Sequence, residues 1–124
     1  MEKIEMEFMV RSSTPVLYDM LSTPSGLSEW FADDVNIKDD IYTFIWDNSE
    51  EQAQLLKKKK GEYIRFHWVD HEEDDTYFEM RIKTDPMTGE VAVIVTDFAD
   101  EEDVEETREL WESQISDLAH RLGG

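Results

Sequence analysis

The two histidines near the middle of the chain come closest to a metal-binding pattern. His67 and His71 form an H-x-x-x-H pattern, which on a helix would place two metal ligands on one face. The neighbouring residues instead predict a strand that runs into a turn, where positions i and i+4 lie about 13 Å apart. That distance is too large for one ion, so we expect two unrelated histidines and no metal site. His120 is expected near a helix C-terminus, where an imidazolium suits the helix dipole.

Two acidic runs, at 70–75 and 97–106, are the next candidates for chemistry. Neither run has the spaced oxygens and the glycine of a calcium loop. A catalytic carboxylate pair would need burial to separate its two pKa values, whereas these runs predict solvated turns and an acidic first helical turn. The sequence also has no cysteine, no phosphate-binding glycine loop and no G-x-S-x-G elbow. We therefore predict no catalytic residue and no cofactor, and an enzyme ranks last among the functions considered.

The basic residues are few. Lys57 to Lys60 precede Gly61 and predict a solvated hairpin that blunts a sheet edge; contact with an acidic partner is the lesser alternative. Arg65 and Arg81 could anchor a ligand carboxylate if they faced a cavity. The alternation of their strands places both on the polar face.

Large apolar side chains give the strongest pattern. In the stretch "PSGLSEWFADD", Leu27, Trp30 and Phe31 fall at i, i+3 and i+4, which predicts a short amphipathic helix with an aromatic end. Such residues either fill a packed core or line a ligand cavity, in which an indole N–H can orient the bound molecule; the pattern leaves both open. If a cavity exists, its predicted lining is Trp30, Phe31, Phe44, Trp46, Phe66, Trp68, Phe78, Met80, Trp111 and Ile115.

The order of elements predicts an α+β fold. Residues 2–11 alternate as a strand, and Thr14 as N-cap with Pro15 predicts a helix with the stripe Val16, Leu17, Met20 and Leu21. Pro24 ends this helix and starts a second one. Strands and turns fill 33–98, where residues 50–57 are weaker and a helical turn is an alternative. A long amphipathic helix at 101–122 ends the chain. We expect one domain, 1–124, with an antiparallel sheet of about seven strands curved around the C-terminal helix.

The net charge of −19 limits the partners. Such a field repels nucleic acids and anionic membranes, while solubility and attraction to a basic partner both explain it. The sequence has no apolar run of membrane-spanning length, no signal-peptide pattern and no cysteine, so we predict a cytoplasmic protein. The chain is expected to be a monomer or a homodimer. A dimer would bury the outer sheet face, where Tyr63, Val69 and several valines are predicted.

Six segments together resemble a known superfamily: "TPSGLSEWFADDV" at 23–35, "IYTFIWD" at 41–47, "IRFHW" at 64–68, "YFEMRI" at 77–82, "VIVTDFAD" at 93–100 and "ELWESQISDL" at 109–118. They resemble the helix-grip fold of the START-like (SRPBCC) superfamily, which includes polyketide cyclases, lipid-transfer domains and a domain of activators of the ninety-kilodalton heat-shock chaperone. The resemblance implies a domain that binds an apolar or amphipathic small molecule between the sheet and the C-terminal helix. The alternative it implies is an acidic protein-interaction domain of the chaperone-associated kind. No matching motif transfers a residue role to this chain.

Overall fold

An antiparallel sheet of seven strands forms the body of the computed structural model, which describes residues 1–72 and 75–123. Every neighbouring pair of strands is antiparallel, and the order across the sheet is β1-β7-β6-β5-β4-β3-β2. The strands are β1 (Glu2–Val10), β2 (Asp34–Lys38), β3 (Ile41–Trp46), β4 (Ser49–Lys59), β5 (Tyr63–Trp68), β6 (Phe78–Thr84) and β7 (Val91–Ala99). The predicted α+β class and strand number are confirmed.

Three α-helices cover one face of this sheet in the described part of the chain: α1 (Thr14–Ser22), α2 (Pro24–Trp30) and α3 (Val104–Arg121). A 3₁₀ turn at Glu101–Asp103 precedes α3. Helix α3 lies against the sheet through the buried residues Trp111, Ile115 and Leu118. This arrangement confirms the helix-grip architecture. Across residues 1–72 and 75–123, no helix combines the length and the apolar character needed to cross a membrane.

The junction of α1 and α2 is organised by short polar side chains. Ser13, not Thr14, caps α1, because its Oγ accepts a hydrogen bond from the Val16 backbone N–H; the predicted cap was wrong by one residue. Thr23 both ends α1 and caps α2, since its Oγ1 accepts from the Gly26 N–H at 2.9 Å and donates to the Asp19 carbonyl at 2.7 Å. Pro24 starts α2 as predicted. The two helices therefore meet at a corner that the Thr23 side chain stabilises with one hydrogen bond to each helix.

The inner face of the sheet follows the predicted alternation with a few exceptions. Val93 and Val95 are fully buried on the inner face of β7, so the expectation of valines on the outer face of this strand was wrong. Val16 was expected on the apolar stripe of α1 and is 52% exposed. Tyr63 does lie on the outer face, but the Arg81 guanidinium covers its ring at 4.2 Å. The outer face therefore offers less apolar surface than the sequence predicted.

The outer face carries a charge-paired cluster. Glu79 is 6% exposed and bonds Arg65 at 2.9 Å and Arg81 at 3.3 Å. Arg65 also stacks over the Tyr77 ring at 4.0 Å. The prediction that both arginines lie on the polar face is confirmed.

Strand β4 is the clearest departure from the sequence pattern. It extends over eleven residues where a helical turn was an alternative, and its register shifts between Leu55 and Lys57. Lys57 to Lys60 lie at the end next to the β5 turn, where Gly61 has φ +81°, which confirms the predicted hairpin. Ser49 and Glu51 lie at the other end, and Glu51 is about 26 Å from Lys59 along the strand. The strand thus joins a basic end of the sheet to an acidic one.

Candidate functional site

The interior between the sheet and α3 is filled by aromatic rings. Phe31 lies at their centre, with its ring centroid 4.9 Å from that of Phe44, 5.9 Å from Trp111 and 6.0 Å from both Trp46 and Phe78. Phe44, Phe66, Phe78 and Met80 are 0% exposed. This part of the interior is a packed core.

The predicted lining residues divide into two groups. Trp30, Phe44, Phe66, Phe78, Met80 and Ile115 lie in the core. The Trp30 indole is fixed there by a 2.8 Å hydrogen bond to the Met20 carbonyl. Phe31, Trp46, Trp68 and Trp111 also border a pocket that opens where the sheet meets α3. Phe31 therefore belongs to both the core and the pocket floor.

This pocket, which we call the mouth pocket, has a volume of about 370 Å³. It lies at the acidic end of the sheet, between the inner faces of β3, β4, β5 and β7 and one side of α3. Besides the four aromatic residues, its lining comprises Ser49, Glu51, Asp97, Leu110 and Gln114. Leu110 is 57% exposed, so the helix side of the pocket offers an uncovered apolar wall. The pocket combines an aromatic floor with a few polar groups, as ligand pockets do.

Asp97 is a partly buried polar group of the mouth pocket. Its Oδ2 accepts a 2.8 Å hydrogen bond from the Trp111 indole, and its Oδ1 accepts one of 2.8 Å from the Phe98 backbone N–H. Burial raises the pKa of the Asp97 carboxyl above its ordinary value. The two hydrogen bonds and the charge of His71 act in the opposite direction and offset this only in part.

Asp97 was expected in the solvated acidic run at 97–106, and for this residue the expectation was wrong, because its carboxyl is partly buried and bonded to Trp111. Asp97 follows Val91, Val93 and Val95 at the same spacing of two, and therefore lies on the inner face of β7, across from Ile4 of β1. The residues on both faces of this strand are apolar from Val91 to Val95, so the sequence shows no alternation of apolar and polar residues there. Continuing the period of two past Val95 would have identified an inward carboxyl.

We expect Trp111→Phe to raise the pKa of the Asp97 carboxyl further. The indole hydrogen bond favours the charged carboxylate, and this substitution removes it. Trp46→Phe is the matched control, since the Trp46 indole donates to the Phe31 carbonyl and not to Asp97. A pH titration of the ¹³C-labelled carboxyl by NMR measures both variants. A raised folded-state pKa also means that the contribution of this group to stability is fully present below its unfolded-state pKa and is lost as pH rises through the folded-state value. An unchanged Asp97 titration in Trp111→Phe would contradict this assignment.

A second, more polar groove of about 680 Å³ adjoins the mouth pocket and shares Phe31, Trp46 and Gln114 with it. It lies between α2 and the C-terminal end of α3. Arg121 bridges these helices through a 3.1 Å hydrogen bond from Nε to the Glu29 carbonyl. His120, which was predicted near the C-terminus of a helix, also borders this groove.

The two central histidines lie closer together than predicted. Their ring centroids are 6.5 Å apart, because the chain turns directly after Trp68, where the His71 N–H bonds the Trp68 carbonyl. The 13 Å expectation was therefore wrong. His67 Nδ1 lies 2.8 Å from the Thr76 carbonyl, which fixes this ring. The acidic run at 70–75 falls partly outside the described residues, since 73 and 74 are not among them.

One group of carboxylates comes together in the second acidic run. Oxygens of Asp100, Glu102 and Asp103 lie within 4.8 Å of one another, and all three residues are exposed. They surround the start of α3, where acidic side chains complement the helix dipole. That role accounts for the cluster.

Comparison with known proteins agrees with the fold. A search of curated proteins finds no match. The solution NMR structure of BfR322 from Bacteroides fragilis is 36% identical, with 97% of this chain and 90% of that chain covered and a TM-score of 0.69. The solution structure of the Aha1 dimer from Colwellia psychrerythraea is 14% identical, with 98% and 96% covered and a TM-score of 0.84. DynU16, from the dynemicin biosynthetic locus, is 11% identical with a TM-score of 0.83, and 98% of this chain matches 47% of that longer chain. A model of the START-like superfamily domain matches residues 1–124, and the chain therefore belongs to the START-like superfamily.

Proposed function

We propose that this START-like domain binds an amphipathic small molecule in the mouth pocket. The observation that carries the proposal is the pairing of aromatic residues with a partly buried carboxyl, Asp97, in one pocket. A volume of about 370 Å³ falls within the range of about 300–1,000 Å³ typical of ligand pockets. The apolar part of the ligand would contact Phe31, Trp46, Trp68 and Trp111, and its polar part would face Asp97 or Gln114.

The packed core narrows the predicted contact set. A ligand in this pocket does not reach Phe44, Phe66, Phe78 or Met80, which are 0% exposed. These residues instead support the floor, since Phe44 and Phe78 both pack on Phe31. Of the ten residues expected from the sequence, the proposal keeps Phe31, Trp46, Trp68 and Trp111 as ligand contacts.

A second candidate is an interaction domain for a basic protein. It is supported by the exposed glutamates along α3, including Glu105, Glu109 and Glu112, and by the net charge of −19. The likeness to Aha1, at 14% identity, supports the fold alone. An acidic surface gives no reason for a neutral apolar probe to bind, so the following test separates the two candidates.

The neutral fluorescent probe N-phenyl-1-naphthylamine should bind the protein saturably, with increased emission. Leu110→Glu should weaken this binding about tenfold or more, because it places a charge against the apolar wall, and tenfold corresponds to about 1.4 kcal/mol. Met87→Glu is the matched control: it makes the same change at a side chain that is 91% exposed and lies in the turn before β7. Probe titration of the three proteins measures the effect. No saturable binding, or equal loss in both variants, would overturn the proposal.

A further inference from the structure

The mouth pocket has acidic groups on two of its walls and no basic group in its lining. Glu51 and Asp97 supply the carboxylates, and no lysine, arginine or histidine is among the described residues that border it. None of the salt bridges formed by the described residues involves either carboxylate. The two carboxyl groups therefore have no basic side chain beside them among the described residues that line the pocket.

The two carboxylates reach the pocket from separate strands. Glu51 pairs with Phe44 in the β3–β4 register and lies on the same inner face as Ser49, which pairs with Trp46. Asp97 belongs to β7, which is three strands from β4 in the sheet order. The curvature of the sheet brings both residues to one pocket, with Trp68 of β5 also in its lining.

The Asp97 carboxyl has hydrogen bonds but little compensating charge. Its partners are the neutral N–H groups of Trp111 and Phe98. His71 contributes a favourable charge but lies outside the pocket lining. A partly desolvated carboxylate gains most from a cation placed beside it, since the interaction is less screened than in water.

The aromatic residues favour the same kind of ligand. Phe31, Trp46, Trp68 and Trp111 border the pocket, and aromatic rings attract cations through their quadrupole, tryptophan most strongly. The same rings and carboxylates disfavour an anion. We infer that the ligand is an organic cation, an ammonium group attached to an apolar body, held between the aromatic rings and the carboxylates of Glu51 and Asp97. This inference rests on the proposed function and names its ligand class.

A matched probe set tests the charge. Benzyltrimethylammonium carries the cation, neopentylbenzene is its neutral isostere, and phenylmethanesulfonate is an anion of similar size. Titrations followed by the indole N–H resonances in NMR, at 150 mM salt to screen the net charge, should give the cation at least about tenfold tighter binding than the isostere. The anion should not bind.

Charge-neutral variants locate the effect. Glu51→Gln should weaken cation binding about fivefold or more and leave the isostere unchanged. Asp97→Asn should weaken cation binding more than isostere binding, because its single amide oxygen can accept only one of the hydrogen bonds from Trp111 and Phe98, which affects both probes. Glu51 is exposed, so Glu51→Gln keeps the test valid if Asp97→Asn unfolds. Glu5→Gln, which removes the same charge from the outer face of β1, should have no effect. Equal binding of cation and isostere, or equal loss in Glu5→Gln, overturns the cation inference alone. Failure of every probe, N-phenyl-1-naphthylamine included, overturns the proposed function as well.

Discussion

Gly26→Ala is expected to destabilise the protein by about 3 kcal/mol or more. A Cβ at this position would overlap the Asp19 carbonyl oxygen and lie 2.6 Å from the Met20 Cα. Both obstacles are backbone atoms of α1, so relief requires the two helices to separate. Separation would also strain the Thr23 hydrogen bonds that connect them. Urea unfolding followed by circular dichroism measures the loss.

Ser25→Ala is the control for this prediction. Ser25 is the exposed neighbour of Gly26 in α2, so the substitution adds no buried atom, and its effect should stay within about 0.5 kcal/mol. Equal midpoints for Gly26→Ala and Ser25→Ala would show that α1 and α2 are not in close contact at this corner.

Phe31→Ala is expected to cost about 3–5 kcal/mol of unfolding free energy. Phe31 is 4% exposed and packs on Phe44, Phe78 and Trp111, so its removal leaves a cavity among rings that cannot all move inward. The aromatic end of the "PSGLSEWFADD" helix is thus required for folding before it contributes to any binding. Urea unfolding measures the loss.

Leu110→Ala is the control from the opposite wall of the mouth pocket. Leu110 is 57% exposed, so Leu110→Ala should lower the free energy of unfolding by less than about 1 kcal/mol. It nevertheless removes apolar surface from the mouth pocket. If Phe31→Ala cost no more than Leu110→Ala, the packing described around Phe31 would be wrong.

The long-range pattern of this fold could be predicted from its sequence because period and polarity change together. The alternation in β1 and β6 and the three-to-four spacing of Trp111, Ile115 and Leu118 each identify one buried face. Burial of that face is the largest favourable term in folding. The same physics makes the sheet curve around the helix, since α3 supplies the long apolar stripe.

Strand β4 could not be predicted with the same certainty, because its own side chains contribute little to its conformation. Only Ala53 is buried along its eleven residues, and the bulge near Leu55 interrupts the alternation. Pairing with β3 and β5 determines the strand in place of local preference. The turn that brings His71 near His67 is a tertiary feature of the same kind.

The candidate site was partly visible in the sequence. The spacing of the aromatic residues predicted an apolar interior. It could not show which of them lie in the core and which border the pocket, because burial of a ring depends on its neighbours from other strands. The inward position of Asp97 was not predicted, because its own local sequence suggested a different environment. A carboxylate after a run of valines resembles the end of a strand, whereas pairing of Asp97 with Ile4 of β1 keeps it inside the sheet.

The basic and acidic side chains of β4 and its neighbours are concentrated at opposite ends of the sheet. Lys57 to Lys60 lie around the β4–β5 turn, and Arg81 pairs with Tyr63 at the same end of the sheet. Glu51 and Asp97 line the mouth pocket at the other end, and the acidic turn Glu101–Asp103 lies between β7 and α3. If the ligand is a cation, as inferred above, this separation of charge would favour its approach at the pocket end, over a distance set by the Debye length, about 8 Å at physiological ionic strength.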